Sequence, residues 1–213
     1  MQTFIIQNYK ISLTETQDHN FLLPQMFQKQ FHSTILVEYK TGVPLTEWDG
    51  IFSNQSNILL GIRVSDCNVI IIMGQEWFGI VHAGRKGLKD GIIQKMFKQL
   101  IEKGESGFYV FIWPSIRSCC YEVGKEFTEY FDEKYLLLVD ENHYTLDMIG
   151  MIQDIFSHYS IKDLIIHPDC TKCSSKFFSY RQLKNYDQVN IIMVEKLKKC
   201  HKKCIDINNK III

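Results

Sequence analysis

A chain of 213 residues with 24 basic and 24 acidic side chains carries no formal net charge at pH 7. That balance excludes the dense basic face of a nucleic-acid binder and the polybasic surface of a protein that reads anionic membranes. With 46% hydrophobic and 23% charged residues, the composition is that of a water-soluble globular protein long enough to bury one substantial core.

The N-terminal MQTFIIQNYKISL lacks the charged-then-apolar plan of a secretion signal, and no apolar run is long enough to span a bilayer. The expectation is a cytoplasmic protein that engages neither membrane nor nucleic acid. In a reducing cytosol, seven cysteines are expected as core residues, metal ligands or nucleophiles rather than disulfides. No repeat, linker or composition break divides the chain, so residues 1-213 are expected to form a single domain.

In chain order, residues 58-64 (ILLGIRV), 68-73 (NVIIIM) and 77-81 (WFGIV) read as strands. Leu88, Ile92, Ile93, Met96, Phe97, Leu100 and Ile101 recur at helical spacing, and Gly104 ends the run. GFYVFIW predicts a strand, VGKEFTEYFDEK a helix, and YLLLV another strand. Residues 145-159 suggest an amphipathic helix, 161-167 a buried strand, and the C-terminal third a closing helix. Its lysine-rich EKLKKCHKKC reads as a solvated helix face. The order implies a mixed α/β (α+β) fold with an antiparallel hairpin.

That hairpin makes a specific prediction. A two-residue turn centred on Gly74 and Gln75 suits a type II′ turn and sets Met73 opposite Glu76, Ile71 opposite Phe78, and Cys67 opposite His82. Opposed residues share a face with Cβ atoms about 4.5–5.5 Å apart, so a thiol and an imidazole are expected to converge at the open end. Such a pair is either two metal ligands, a nucleophile with its base, or a buried thiol beside a satisfied histidine. A catalytic zinc site needs about three protein ligands and an open position. His32 in QKQFHSTILVE, just before a β-branched run, is the best third candidate.

The stretch SDCNVIIIMGQEWFGIVHAGRKGL resembles the signature of the YfiH-type laccase-domain family, also called polyphenol oxidase-like or purine nucleoside phosphorylase-type. FHSTILVE, WDGIFSN, WPSIRSCCYEVG and CTKCSSKFFSYRQ resemble further family segments in the same order. The resemblance implies a layered domain of helices on central mixed β-sheets and a metal, usually zinc, held by His32, Cys67 and His82. It also implies purine nucleoside chemistry, namely phosphorolysis of adenosine, inosine and methylthioadenosine together with deamination of adenosine. The partners implied are a purine nucleoside and phosphate, taken up by a monomer or homodimer.

The residues bear on that chemistry. Seven histidines and no H-x-H pair exclude a four-copper oxidase, although one copper ion in the Cys/His/His site could support oxidase activity. An open zinc position lowers the pKa of water enough to generate a nucleophile for deamination. Phosphorolysis needs cations for phosphate: Arg63, Arg85, Lys86, Arg117 and Arg181 are candidates, with the backbone N–H groups of HAGRKG leading into a helix. Asp66 and Glu122 are candidate acid–base groups, and Asp66 could instead orient a metal-bound histidine. Tyr180 or Arg181 could stack on a base.

Where the family has H-A-G-W-R-G, this chain has HAGRKG. Arg85 therefore replaces tryptophan, and Lys86 replaces an arginine whose bidentate grip lysine cannot reproduce. Trp113 stands where the family has glycine. The rival readings are a metal-free cysteine hydrolase using Cys67 and His82 and a non-enzymatic binding domain. Adjacent Cys119 and Cys120 are expected to point to opposite sides of an extended chain. Cys170 and Cys173 could join Cys200 and Cys204 in a zinc knot.

Overall fold

The structure, a computed structural model, describes residues 1–16, 30–41, 47–185 and 187–198. Its centre is a six-stranded mixed sheet in the order β12 (Ile161–Ile166), β8 (Phe108–Ile112), β6 (Asn68–Met73), β7 (Phe78–Ala83), β4 (Gly50–Ser53), β3 (Leu36–Glu38). The outer pairs β12–β8 and β3–β4 are parallel and the inner ones antiparallel. A four-stranded antiparallel sheet, β1 (Gln2–Ile6), β2 (Tyr9–Leu13), β13 (Asn190–Lys196) and β5 (Leu59–Val64), covers one face. A small third sheet holds β10 (Leu136–Leu138), β11 (His143–Leu146) and β9 (Glu122–Gly124).

Alternation along β6 shows why it reads as an unbroken apolar run. Val69, Ile71 and Met73 enter the core shared with the four-stranded sheet, while Ile70 and Ile72 enter the core on the helical side. A strand covered on both faces has no solvent-facing position for a polar residue. The helical side is closed by α1 (Arg85–Lys89) and α2 (Ile92–Glu102), the latter burying Ile92, Ile93, Met96, Phe97 and Leu100. The fold is therefore a layered mixed α/β domain, as the sequence implied, with these two helices on one face of the large sheet. Among the described residues, no helix is long and apolar enough to cross a membrane.

Several elements depart from the sequence reading. The helix expected across Leu88 to Ile101 is broken at Gly91, whose φ of 85° lies in the left-handed region that glycine adopts freely. VGKEFTEYFDEK forms two short 3-10 turns, Lys125–Glu129 and Glu133–Tyr135, the second opened by an Asp132 side chain that accepts from the Lys134 N–H. The helix expected from 145 starts only at Met148, because residues 143–146 pair as β11; α3 (Met148–Phe156) is capped by Asp147. Among the described residues of the C-terminal third, the helix is the single turn α4 (Tyr180–Leu183), and it is followed by β13, an apolar strand inside its sheet. The run at 199–213 lies outside the described residues.

The hairpin β6–β7 forms, but two residues away from the predicted register: Met73 faces Phe78 and Val69 faces His82. Gly74 N–H bonds the Trp77 carbonyl at 2.8 Å, which moves the turn centre to Gln75 and Glu76. The buried Glu105 carboxylate explains the shift, since it accepts the N–H groups of Gln75, Glu76 and Trp77 at 2.6–2.7 Å. The change moves each residue's partner by two positions. Side-chain parity is therefore kept, and Cys67 and His82 still lie on one face. Cys119 and Cys120 do not diverge either. Cys120 N–H and Tyr121 N–H both bond the Arg117 carbonyl, so this stretch is a turn, and both thiols face Cys173.

Candidate metal centre and cleft

Three side chains from three parts of the chain converge at the open end of the β6–β7 hairpin. His82 projects from β7, Cys67 from the turn before β6, and His32 from the loop before β3. Their ligand atoms lie within 4.8 Å of one another, with Cys67 Sγ 3.8 Å from His32 Nε2. The two imidazole rings sit 4.7 Å apart, edge to face. His82 is 3% exposed, Cys67 is half-buried and His32 faces solvent.

Asp49 organises this cluster. Fully buried at the entry to β4, its carboxylate accepts from His82 Nδ1 at 2.8 Å, which leaves Nε2 as the ligand atom. The same carboxylate accepts the N–H groups of Phe31, His32 and Ser33 and the Ser33 hydroxyl. These bonds hold His32 at a φ of 59°, a conformation that costs a non-glycine residue about 1–2 kcal/mol. One buried acid thus aims one histidine and pins the loop of the other.

The protonation states follow from these contacts. Burial alone would raise the Asp49 carboxyl, but hydrogen bonds from His82 and Ser33 outweigh it and bring it to about 2. Burial disfavours charge on His82, yet its bonds to Asp49 and Cys67 raise it to about 9. The Cys67 thiol, which burial would push up, is lowered to about 6 by hydrogen bonds from His32 and His82. When no metal is bound, both shifts favour a thiolate beside an imidazolium.

The donor set fits a zinc-type ion. One thiolate and two imidazoles are ligands of the kind zinc takes, three protein ligands leave a position open, and a carboxylate fixes one ring. Gly84 belongs to the fit: a Cβ there would come within 2.8 Å of His32 Cδ2 and 3.1 Å of Cys67 Sγ. Its φ of −66° is open to any residue, so the requirement is space between the ligands. Gly84→Ala is expected to weaken zinc binding roughly tenfold or more while leaving the circular dichroism of metal-free protein unchanged. Competition with a chromophoric chelator measures the first, and an unaltered affinity would show that the ligands have room to spare.

The centre opens into a cleft of about 790 Å³. Of the residues singled out in the sequence, Arg63, Asp66, Arg85, Tyr180 and Arg181 line it with the three ligands. Lys86 points to solvent, and Glu122 is exposed on β9; neither lines the cleft. Arg117 turns inward to Ser115 Oγ and the His167 carbonyl and also lies outside the lining. Asp66 spends one oxygen on Thr171 Oγ1 and the other on the Arg181 N–H, so the task of orienting a ligand histidine falls to Asp49. The helix that begins within HAGRKG, at Arg85, has five residues, too short to supply a substantial dipole.

Tyr121 and Met148 also line the cleft, and neither was singled out in the sequence. The Arg181 guanidinium lies 5.0 Å from the Tyr121 ring centre, and Arg85 lies 4.8 Å from that of Phe127. Arg85 thus lines the cleft while packing over Phe127, which lies outside the lining. Trp113 is fully buried in the core between the sheets, with Phe177 edge-on at 5.2 Å.

The fold and the cluster together define a layered mixed α/β protein with a Cys/His/His centre beside a cationic, tyrosine-lined cleft. The family described as multi-copper polyphenol oxidoreductase laccase matches residues 6–195, and the chain belongs to it. A protein of Aquifex aeolicus named purine nucleoside phosphorylase is 37% identical over 151 residues, covering 68% of this chain and 70% of that one. A protein named adenosine deaminase RL5, from an unknown prokaryotic organism, is 24% identical over 63% of this chain and 57% of its own length. In fold, the chain is similar to the Bacillus licheniformis hypothetical protein YfiH, with a TM-score of 0.73, 24% identity, and coverage of 81% of this chain and 73% of the other.

Proposed function

We propose that the chain is a cytoplasmic zinc-dependent purine nucleoside enzyme. It phosphorolyses adenosine, inosine and methylthioadenosine to free base and pentose 1-phosphate, and it deaminates adenosine. The observation that carries this reading is the opening of the His32/Cys67/His82 centre into a cleft lined by three arginines and two tyrosines. Relatives named purine nucleoside phosphorylase and adenosine deaminase support the substrate class.

His32, Cys67 and His82 hold the ion, which when bound supplies a Lewis acid to the cleft. Arg63, Arg85 and Arg181 hold phosphate, and Tyr121 and Tyr180 flank the base. Phosphorolysis forms a bond from phosphate oxygen to C1′ and breaks C1′–N9, so negative charge moves from phosphate to the departing base. The three arginines fix the phosphate for attack on C1′. Copper in place of zinc would give a single-copper site and a side activity as an oxidase. The assay is adenosine with and without phosphate: adenine is expected with it and inosine without it. A metal-loaded chain that yields neither sinks the proposal.

One observation favours a second reading. Cys67, His82 and Asp49 are in the order of a nucleophile, base and orienting acid. In metal-free protein, Cys67 alkylation is expected to rise with pH around a midpoint of about 6, and stoichiometric zinc should suppress it. Activity that survives chelation and is lost on alkylation would favour the metal-free cysteine hydrolase.

A further inference from the structure

A second group of soft ligands lies apart from the cleft. Cys119 and Cys120 come from the turn after β8, Cys170 and Cys173 from the loop after β12, and their four sulfurs lie within 4.8 Å of one another. Cys119 Sγ is 3.7 Å and Cys120 Sγ 3.2 Å from Cys173 Sγ. Four thiolates around zinc at about 2.3 Å stand about 3.8 Å apart in a tetrahedron. The spacing is thus close to that of a tetrathiolate cage, and too long for S–S bonds, which are about 2.05 Å.

The surroundings fit a metal better than four neutral thiols. Cys170 is buried, and its sulfur accepts the Arg117 backbone N–H at 3.5 Å. Such N–H···S bonds stabilise thiolate ligands.

We propose that Cys119, Cys120, Cys170 and Cys173 bind a structural zinc ion that staples the far wall of the cleft. The two loops it joins are already bridged at Ser115 and Cys170, and they lead directly to Tyr121 on one side and to Thr171, Tyr180 and Arg181 on the other. The staple therefore fixes the distance between Tyr121 and Arg181. It does so with four protein ligands and no open position, as befits a structural rather than a catalytic site. The pairing with Cys200 and Cys204 falls outside the described residues, and the proposed cage does not use them.

Elemental analysis of protein purified under reducing conditions, with single variants, separates this site from the centre at Cys67. The expected result is a second equivalent of zinc that Cys67→Ser retains and both Cys119→Ser and Cys173→Ser lose. The exposed position of Cys119 keeps a folded variant within reach. Cobalt substituted into the Cys67→Ser variant should show the intense sulfur-to-metal charge-transfer band of several thiolates, and Cys200→Ser/Cys204→Ser should retain it. Zinc only at the Cys67 centre, a Cys120–Cys173 disulfide in the reduced preparation, or loss of the band in Cys200→Ser/Cys204→Ser would each overturn the proposal.

Discussion

Asp49→Ala is expected to destabilise metal-free protein by about 3–5 kcal/mol, the usual cost of removing one partner from a buried charged pair. It should also weaken zinc binding by about 10–100-fold. Both effects have one origin. Every polar contact of the Asp49 side chain comes from a donor: His82 Nδ1, three backbone N–H groups and the Ser33 hydroxyl. Asn has the same shape but presents an amide N–H₂ to donors whichever way it turns, so Asp49→Asn should fall between wild type and Asp49→Ala.

The pH dependence follows with a definite sign. Asp49, lowered to about 2 in the fold, contributes stability that is complete above its unfolded value of about 3.9 and is lost as pH falls through 2. His82, raised to about 9, contributes stability that is complete below its unfolded value of about 6.5 and is lost as pH rises through 9. The gap between wild type and Asp49→Ala should therefore be widest between about pH 4 and 6.5. Urea unfolding of metal-free protein at pH 5 and pH 9.5 measures it. Equal gaps at both values would mean that Asp49 acts through packing alone.

The second large effect concerns the ligands. His82→Ala and Cys67→Ser remove a ligand outright, so turnover of adenosine should fall by more than the ~100-fold upper end seen when only a ligand's supporting group is lost. Because Asp49 stays buried when His82 is removed, His82→Ala should also lower stability. Cys67→Ser, at a half-buried position, should leave stability nearly unchanged. Adenine release together with thermal unfolding checks the pair. Retained turnover in Cys67→Ser would remove the thiol from the chemistry, and a non-enzymatic binding domain would show no turnover in any form.

The approach of Cys67 and His82 was legible in the sequence because it rests on parity. Cys67 directly precedes β6 and His82 lies on the adjacent β7, and the pleat keeps them on one face even though Glu105 moved the turn. Glu105 itself was not legible, since it reaches the hairpin from a distant loop. The same holds for Asp49, whose partners are at positions 31–33 and 82. Its only local signal was an acid set between Trp48 and the apolar Gly-Ile-Phe of β4. The broken helix at Gly91 was signalled by the glycine, but the apolar spacing on both sides of it concealed the break. Cys119 and Cys120 were read as extended, whereas the Arg117 carbonyl closes a turn there. In each case a long-range hydrogen bond or a tight turn overrode a local pattern that was itself sound.

Zinc held by His32, Cys67 and His82 is proposed to support purine nucleoside chemistry in the adjoining cleft. The most direct test strips the chain with chelator and titrates zinc back while adenine release from adenosine and phosphate is followed. Protection of Cys67 from alkylation reports occupancy of the centre in the same samples. Activity should be absent at the start and rise in step with that protection. Full activity in stripped protein, or no purine base released when Cys67 is fully protected, would contradict it.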